Sequence, residues 1–325
     1  MDYIDLHCDT LMKAFFKGKK DILTLNKCRV DLGKLERGGC RAQFFAIFMI
    51  PKSIKSKLGF LLPSDERYIH KLRQILLNTI EAAPGRLGLA LNAAELEANA
   101  AAGKRSAFLT LEDGRAAEGR IERLEQFYKL GIRLISLTWN DKNCFGAPNS
   151  NDPSVMAMGL TPFGRAAVER MNELGMVVDV SHLSDGGFWD VAALSTRPFI
   201  ASHSNCRALC PHRRNLTDEM IRAIADAGGV IGLNFLPEFI SSNSKPAKIS
   251  ANEIAAHARH MADVGGVGCV GIGTDFDGFS GSVEISAADR MPLLFGALKA
   301  AGFREREIEQ IAHENVKRVI RDTMG

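Results

Sequence analysis

The stretch Thr217-Asp-Glu-Met-Ile-Arg-Ala-Ile-Ala-Asp-Ala-Gly-Gly-Val-Ile-Gly-Leu-Asn-Phe235 predicts a helix that leads directly into a strand. Apolar residues recur three and four positions apart over Thr217–Ala227, which is the pattern of a helix with one buried face. Thr217 is a typical N-cap residue, and Ala227-Gly-Gly229 is a typical helix end. The β-rich run Val230–Phe235 follows at once. Such a helix–strand unit is the building block of an α/β fold.

The same alternation continues through the rest of the chain. Helical periodicity also marks Arg67–Ala82, Thr161–Leu174 and Asn252–Val264. Eight β-rich runs alternate with helical segments: Tyr3–His7, Ala42–Ile50, Ala107–Leu111, Arg133–Thr138, Met176–Ser181, Phe199–His203, Val230–Phe235 and Cys269–Thr274. Eight such units favour a closed TIM-type (β/α)8 barrel of parallel strands. We predict a single domain over residues 1–325, because no Pro- or Ser-rich linker divides the chain.

Two long segments interrupt the alternation. Pro51–Glu66 follows the second strand and Asp141–Leu160 follows the fourth, and we predict that both are insertions on the active-site face of the barrel. The main alternative is an open doubly wound sheet, since Gly266-Val-Gly-Cys-Val-Gly271 matches the G-x-G-x-x-G pattern of dinucleotide sites. That pattern needs a strand before it and a helix after it. Here a helix precedes it and a strand follows, so we reject the match.

Composition narrows the class of protein. The chain has 325 residues, of which 46% are hydrophobic, and a formal net charge of +3. So small a charge argues against nucleic acid or an anionic membrane as a partner. The N-terminus does not resemble a signal peptide, and the longest apolar run, near Ala42–Ile50, is too short to span a bilayer. The seven cysteines are scattered and odd in number, so we expect reduced thiols in the cytoplasm.

Residues that can bind metals end five of the predicted strands. His7 and Asp9 end the first strand, two positions apart, and on extended backbone they would face the same side. The later strands end in Glu112-Asp113, His182, His203 and Asp275-Phe-Asp277. Barrel enzymes collect their catalytic residues at the carboxyl ends of strands, so we expect these side chains to converge.

Imidazole and carboxylate together suit zinc, with manganese or cobalt as substitutes, better than calcium or magnesium. His7, Asp9, Glu112, His182 and His203 are more ligands than one tetrahedral ion needs. A bridging carboxylate would let them hold two ions, with a hydroxide between the ions as the nucleophile. Glu112 suits the bridge, because its strand lies between those of the other ligands, and Asp113 should face the opposite way.

The ordered set of motifs resembles the membrane (renal) dipeptidase family, zinc peptidases within the amidohydrolase group of barrels. The matching motifs are Asp5-Leu-His7-Cys-Asp9-Thr, Leu111-Glu112-Asp113-Gly, Asp179-Val-Ser-His182, Ser202-His203-Ser-Asn, His212-Arg-Arg214-Asn215 and Gly273-Thr-Asp275-Phe-Asp277-Gly. They occur in the family's order over nearly the whole chain. Each motif alone is common, whereas the ordered set is specific.

The resemblance implies roles for individual residues. His7 and Asp9 would bind one zinc ion, His182 and His203 would bind a second, and Glu112 would bridge them. Arg214 would hold the C-terminal carboxylate of a dipeptide, which suits the planar fork of a guanidinium. Asp275 would move a proton from the bridging water to the leaving amine. Asp277 is expected to be structural.

The chain departs from familiar members of the family at two positions. Those members have a substrate-contacting His after strand four, where this chain has Trp139, and a Tyr where it has Leu236. Trp139 can donate a hydrogen bond through its indole N–H, but it cannot become cationic. Trp139 either lines and reshapes the substrate pocket or belongs to the core, and we expect the first. Both changes affect the expected substrate and leave the expected metal ligands unchanged.

The sequence therefore predicts a zinc-dependent dipeptidase that cleaves small dipeptides, and the resemblance allows a D-residue on the C-terminal side. One alternative keeps the two ions but acts on a lactone, an N-acyl amino acid or another small amide. A second alternative is a non-catalytic barrel that is stabilised by metal. The resemblance also favours a homodimer.

Overall fold

The structure, a computed structural model, describes residues 1–51, 62–242 and 248–325. Its parallel strands form one curled sheet in the order β6-β5-β4-β2-β1-β8-β7. The strands are β1 (Tyr3–Cys8), β2 (Cys40–Phe48), β3 (Leu87–Leu89), β4 (Arg105–Glu112), β5 (Ile132–Ser136), β6 (Val177–Asp179), β7 (Ile231–Leu233) and β8 (Val270–Ile272). This sheet, surrounded by helices, confirms the predicted barrel class.

The strand prediction needs three corrections. Phe199–His203 is not a regular strand in the structure, because it pairs through single bridges, of Ile200 with Asp179 and of Ala201 with Ile231. These bridges connect β6 to β7. The short strand β3 was not predicted, and it pairs with the first half of β4 while β5 pairs with the second half. The strands predicted at Met176–Ser181, Val230–Phe235 and Cys269–Thr274 are also shorter, since β6, β7 and β8 have three residues each.

A close backbone approach accompanies the irregular segment. A Cβ atom on Gly232 would lie 2.0 Å from the carbonyl oxygen of Ser202, and one on Gly273 would lie 1.8 Å from it. Only glycine fits at both positions, so the backbones of β7 and of the residue after β8 can pack directly against Ser202. The segment that carries His203 is therefore held by contacts other than a regular ladder.

The helices lie between the strands as predicted. Their bounds are Thr10–Phe16, Leu32–Gly38, Asp65–Ala82, Ala93–Ala101, Ile121–Lys129, Pro153–Met156, Pro162–Leu174, Asp185–Leu194, Asp218–Asp226, Pro237–Ile240, Ala251–Gly265, Pro292–Ala300, Glu305–Glu309 and Asn315–Met324. Thr217 caps one of them by accepting a hydrogen bond from Met220 N. The four helices predicted from periodicity are confirmed to within about two residues at each end.

Two clusters of buried apolar side chains stabilise the barrel. The larger packs between the sheet and the helices. The smaller joins residues from neighbouring strands, among them Leu6, Phe44, Phe108 and Leu134, and the Phe44 and Phe108 rings stack with centroids 4.6 Å apart. Side chains from successive strands that meet in one cluster fill the interior of a barrel. The predicted metal ligands lie beyond this apolar layer, toward the carboxyl ends of the strands.

The two predicted insertions have different outcomes. Most of Pro51–Glu66 lies outside the described residues. Asp141–Leu160 contains the short helix Pro153–Met156, and Pro148 pairs with Leu183. Asn149 donates hydrogen bonds from its backbone N and its Nδ2 to the carbonyl oxygen of His182, at 2.7 and 3.0 Å. This second insertion thus supports the backbone of a predicted metal ligand.

Candidate active site and metal centre

The structure brings the five predicted ligands into one cluster, which we call the ligand cluster: His7, Asp9, Glu112, His182 and His203. All five side chains are buried. His7 and Glu112 lie on β1 and β4, whereas Asp9, His182 and His203 lie outside the regular strands. His7 lies on β1, but Asp9 lies past its end, with φ −98° and ψ 22°, as the N-cap of the helix Thr10–Phe16. The extended backbone assumed for this pair ends at Cys8. The two side chains meet nevertheless, since His7 Nε2 is 3.5 Å from Asp9 Oδ2.

Glu112 lies between two pairs of ligands. Its Oε2 is 3.3 Å from His7 Nε2. Its Oε1 is 3.3 Å from His182 Nε2 and 3.8 Å from His203 Nε2. One carboxylate oxygen therefore faces His7, which itself contacts Asp9, and the other faces His182 and His203. A carboxylate placed in this way can contact two cations at once.

The donor set fits divalent ions. His182 Nε2 and His203 Nε2 lie 3.0 Å apart, close to the roughly 3.3 Å expected for two nitrogens on one tetrahedral zinc ion. Both ring nitrogens of His7, Asp9 Oδ1 and Glu112 Oε2 are buried and have no hydrogen-bond partner among the described residues. Buried polar atoms normally have partners, so a cluster of them that faces one space is a fitting set of ligands for a cation.

Gly278 leaves room for this convergence. A Cβ atom at Gly278 would lie 2.2 Å from Asp9 Oδ2 and 2.3 Å from Asp275 Oδ1. Asp275 joins His7 and Asp9 as a group of side chains close enough to share an ion. Any larger residue at position 278 would therefore displace one carboxylate or the other.

Burial shifts the charges of these groups. It raises the pKa of Glu112 and Asp275, and the Asp9 carboxylate raises both further, against partial relief from His7. Burial also lowers the pKa of His182 and His203, so both imidazoles are neutral at pH 7. For His7, burial is outweighed by Glu112 and Asp9, and the pKa is raised. Crowded carboxylates beside neutral imidazoles are the electrostatic environment that a divalent cation stabilises.

Several residues that follow the strands have left-handed backbone. His182 has φ 68° and Asp275 has φ 58°, and Asp113 and Asp277 also have positive φ. Such conformations are costly for residues other than glycine and cluster at functional sites. Because the backbone turns sharply there, the direction of these side chains does not follow from the alternation of an extended strand.

Asp113 and Asp277 are engaged elsewhere. Asp113 accepts hydrogen bonds from Arg115 Nη1 at 2.7 Å and Asn143 Nδ2 at 2.8 Å. Asp277 accepts them from Thr10 Oγ1 at 2.8 Å and from the backbone N of Arg29 at 2.7 Å. Both therefore connect segments of the barrel end, in line with their predicted exclusion from the ligand set.

Arg214 is a buried cation close to the ligand cluster. Its side chain donates to Ser204 Oγ at 3.3 Å and to the carbonyl oxygen of His203 at 3.1 Å, and its guanidinium lies over the Phe239 ring. In the described part of the chain no carboxylate lies within salt-bridge distance of it, and its Nε has no partner. Burial lowers the pKa of Arg214 to about 10. A buried guanidinium without a counterion is a site for an anionic group of a ligand.

A cavity of about 380 Å³ joins these groups. It reaches Glu112, His182, Arg214 and Asp275. Its apolar side, which we call the pocket wall, consists of Phe48, Trp139, Leu236 and Phe239. Trp139 packs edge to face on Phe48, with centroids 5.0 Å apart, and its ring is 6.0 Å from that of His182. A larger cavity, of about 640 Å³, lies between helices Asp65–Ala82 and Ile121–Lys129 and contains none of the predicted site residues.

Sequence reasoning missed polar residues behind the site. Asn234 donates from Nδ2 to Asp275 Oδ2 at 3.1 Å, and Asn140 Oδ1 lies 3.4 Å from His182 Nδ1. Asn234 follows β7 as the ligands follow their strands, so its position was a usable signal. Asp179 and Ser202 belong to the matching motifs, but the sequence alone indicates no role for them.

A parallel barrel with such a cluster at the carboxyl ends of its strands defines a metal-dependent hydrolase. Comparison with known proteins supports this class of enzyme. An uncharacterized protein from the pqqA 5′ region of Klebsiella pneumoniae is 34% identical over 255 residues, which are 76% of this chain and 93% of that protein. The dipeptidase tcpJ of Claviceps purpurea is 28% identical over 99% of this chain and 75% of its own length.

A solved structure is similar over the whole fold. It is a metallopeptidase from Rhodobacter sphaeroides with a phosphinate mimic of the dipeptide L-Ala-D-Ala, with a TM-score of 0.89 and 28% identity over 99% of both chains. The family model of the membrane dipeptidases (peptidase family M19) matches residues 1–324. The chain belongs to this family of metallopeptidases, which confirms the resemblance seen in the sequence. Within the described residues, no helix is both long and apolar enough to cross a membrane.

Proposed function

We propose that this chain hydrolyses the peptide bond of small dipeptides with the help of two divalent ions, zinc in the first place. The observation that carries the proposal is the position of Glu112. One of its oxygens faces His7, which contacts Asp9, and the other faces His182 and His203. The unpaired guanidinium of Arg214 lines the same cavity. A binuclear centre beside an anion site matches a dipeptide, whose scissile bond is one residue from its free carboxylate.

His7 and Asp9 would hold one ion and His182 and His203 the other, with Glu112 shared between them. When bound, two such ions supply an activated water molecule and polarise the carbonyl group of the substrate. Asp275 is the side chain that can take a proton from the attacking water and return it to the leaving amine. Asn234 holds Asp275 Oδ2, and Oδ1 of the same carboxylate faces Asp9 across Gly278.

Arg214 would bind the C-terminal carboxylate of the dipeptide, and Trp139 would contact the substrate from the pocket wall. The Rhodobacter sphaeroides relative was solved with a mimic of a dipeptide whose second residue is a D-alanine. By analogy, we propose that this chain also accepts a D-residue on the C-terminal side. The relative supports this part of the proposal only through family likeness.

A second candidate function keeps the ions but changes the substrate to another small amide or a lactone. Trp139 and Leu236 favour it, because they replace polar residues that familiar family members have at the pocket wall. Apolar side chains there could suit a substrate that has no free ammonium group.

One set of measurements tests the proposal. Purified protein should carry about two divalent ions per chain by elemental analysis, and activity should be lost to a chelator and restored by zinc. A panel of L,L- and L,D-dipeptides, N-acyl amino acids and lactones identifies the substrate class. Full activity without any bound transition metal would contradict the proposed centre, and turnover of lactones or acyl amino acids alone would favour the second candidate.

A further inference from the structure

We propose that Asp179 and Ser202 are positioning residues that fix the tautomer of His203, so that its Nε2 lone pair faces the ligand cluster. The inference rests on the proposed role of His203 as a metal ligand. The tautomer itself, however, can be measured in protein that holds no metal.

Asp179 is a fully buried carboxylate that accepts four hydrogen bonds. Ser136 Oγ and Ser202 Oγ donate to its Oδ2 at 2.5 and 2.6 Å. The backbone N atoms of Ser181 and Ser202 donate to its Oδ1 at 2.9 and 2.8 Å. No Lys, Arg or His side chain forms an ion pair with Asp179 in the described part of the chain. All four contacts therefore end on the oxygens of this one carboxyl group, which acts in each of them as the acceptor.

The direction of the next hydrogen bond follows from proton counting. A serine hydroxyl has one proton, and that of Ser202 is donated to Asp179. Ser202 Oγ also lies 2.7 Å from His203 Nδ1. In that contact the hydroxyl oxygen must accept, so Nδ1 of His203 carries the proton and Nε2 does not. Ser181 Oγ lies 3.3 Å from Ser202 Oγ and accepts a hydrogen bond from the backbone N of His203 at 3.1 Å. Because the proton of Ser202 goes to Asp179, Ser181 is the donor in the contact between the two hydroxyls.

The unprotonated nitrogen points at the place where an ion would bind. His203 Nε2 lies 3.0 Å from His182 Nε2 and 3.8 Å from Glu112 Oε1. If His182 Nδ1 donates to Asn140 Oδ1, then two imidazole lone pairs face each other at 3.0 Å. Such an arrangement is repulsive unless a cation lies between the nitrogens. The hydrogen bonds of Asp179 and Ser202 thus prepare His203 to bind a metal ion. They disfavour the alternative tautomer, whose Nε2–H group would face the ion.

The same carboxylate holds the irregular part of the barrel. Ser136 ends β5, Asp179 ends β6, and Ser202 lies in the segment that replaces a regular strand by two bridges. Asp179 binds the backbone N–H groups on both sides, which ties the segment of His182 to the segment of His203. The other imidazoles are held less firmly, since His7 Nδ1 has no hydrogen-bond partner in the described chain and His182 Nδ1 has a partner at 3.4 Å.

The decisive variant is Ser202→Ala, with Ser136→Ala as its matched control. Both remove a hydroxyl that donates to Asp179 Oδ2, but Ser202 alone of the two contacts an imidazole. Two-dimensional ¹⁵N–¹H spectra of metal-free, histidine-labelled protein report the tautomer, and His203→Ala assigns the signal. We expect His203 to be Nδ1-protonated in wild type and Ser136→Ala, and to become a mixture or Nε2-protonated in Ser202→Ala.

Metal affinity is the second measurement, by competition with a chromophoric chelator. Ser202→Ala should weaken one of the two zinc sites about 10- to 100-fold, as loss of a partner behind a ligand commonly does. Ser136→Ala should stay within about threefold of wild type by the same reasoning. Nε2-protonated His203 in the wild-type protein, or equal weakening by both variants, would overturn the inference. A protein that cleaves no dipeptide would contradict the proposed function and leave the tautomer result standing.

Discussion

The ligand cluster and the pocket wall are built from different parts of the fold. The ligand cluster lies at strand ends, is fully buried, and has the residues that the family motifs lead one to expect. The pocket wall lies largely on the connections that follow β5 and β7, is partly exposed at Trp139 and Leu236, and departs from the family pattern there. In barrel enzymes the strand ends hold the reactive groups, while the loops adapt to the substrate. The comparison separates the hydrolytic chemistry, which this chain shares with its family, from the choice of substrate, which we expect to depend on the pocket wall.

The largest effect is expected in the ligand cluster. Glu112→Gln keeps the side-chain size but removes the charge that two cations need between them. We expect loss of at least one ion and a fall in kcat of roughly 10⁴-fold. Asp113→Asn is the control from the adjacent position, and it should retain the metal because Asp113 is bound to Arg115 and Asn143. Normal turnover and metal content in Glu112→Gln would mean that the bridge is misassigned.

Arg214 lies between the two regions and tests the substrate itself. Arg214→Met removes the proposed charge-assisted hydrogen bonds to the substrate carboxylate. For free dipeptides, the activation free energy that corresponds to kcat/KM should rise by about 2–5 kcal/mol. The loss should be much smaller for dipeptides with an amidated C-terminus. Arg213→Met is the control, since Arg213 is exposed to the same cavity and bonded to Asn151. Equal losses on free and amidated substrates would indicate a structural role for Arg214.

Gly278 tests how closely the carboxylates must approach. Gly278→Ala places a methyl group against Asp9 Oδ2 and Asp275 Oδ1. We expect kcat to fall roughly a hundredfold, since a displacement of about 1 Å at reacting groups can cost that much. Gly268→Ala is the control, because a Cβ atom there meets nothing within 4 Å. If both variants had wild-type activity and metal content, the proposed convergence of Asp9 and Asp275 would be wrong.

The contrast between the two regions also explains what could be predicted from the sequence. Strand ends can be predicted, because a β-rich run followed by a polar residue that can bind a metal indicates both the strand and its end, as at Glu112. The direction of a side chain past the strand end is not readable. His182 and Asp275 have left-handed backbone, and Asp9 reaches the cluster from the start of a helix. These features depend on contacts such as that of Asn149 with His182, which are distant in sequence.

The irregular segment Phe199–His203 shows a second limit of prediction from the sequence. Phe199–His203 has the composition of a strand, but its place in the barrel depends on Asp179 and on the close approach of Gly232 and Gly273 to Ser202. No local pattern in the sequence encodes such a three-way contact. The roles of the five ligands, of Arg214 and of Trp139 remain predictions, since the structure supports them by geometry alone.

The smallest effect is expected at Trp139, one of the two positions where the chain departs from familiar members of its family. Its ring packs edge to face on Phe48 and lines the cavity, so it should contact a substrate side chain and not the reacting atoms. Trp139→Ala should lower kcat/KM about tenfold for dipeptides with a large apolar side chain, as loss of apolar contact in a pocket typically does. Glycylglycine should be affected much less, Trp139→Phe should retain most of the preference, and metal content should not change in either variant. Kinetics on this dipeptide series decide the matter: an equal loss on every substrate would mean that Trp139 supports His182 structurally, and the pocket wall would then no longer be the part of the molecule that selects the substrate.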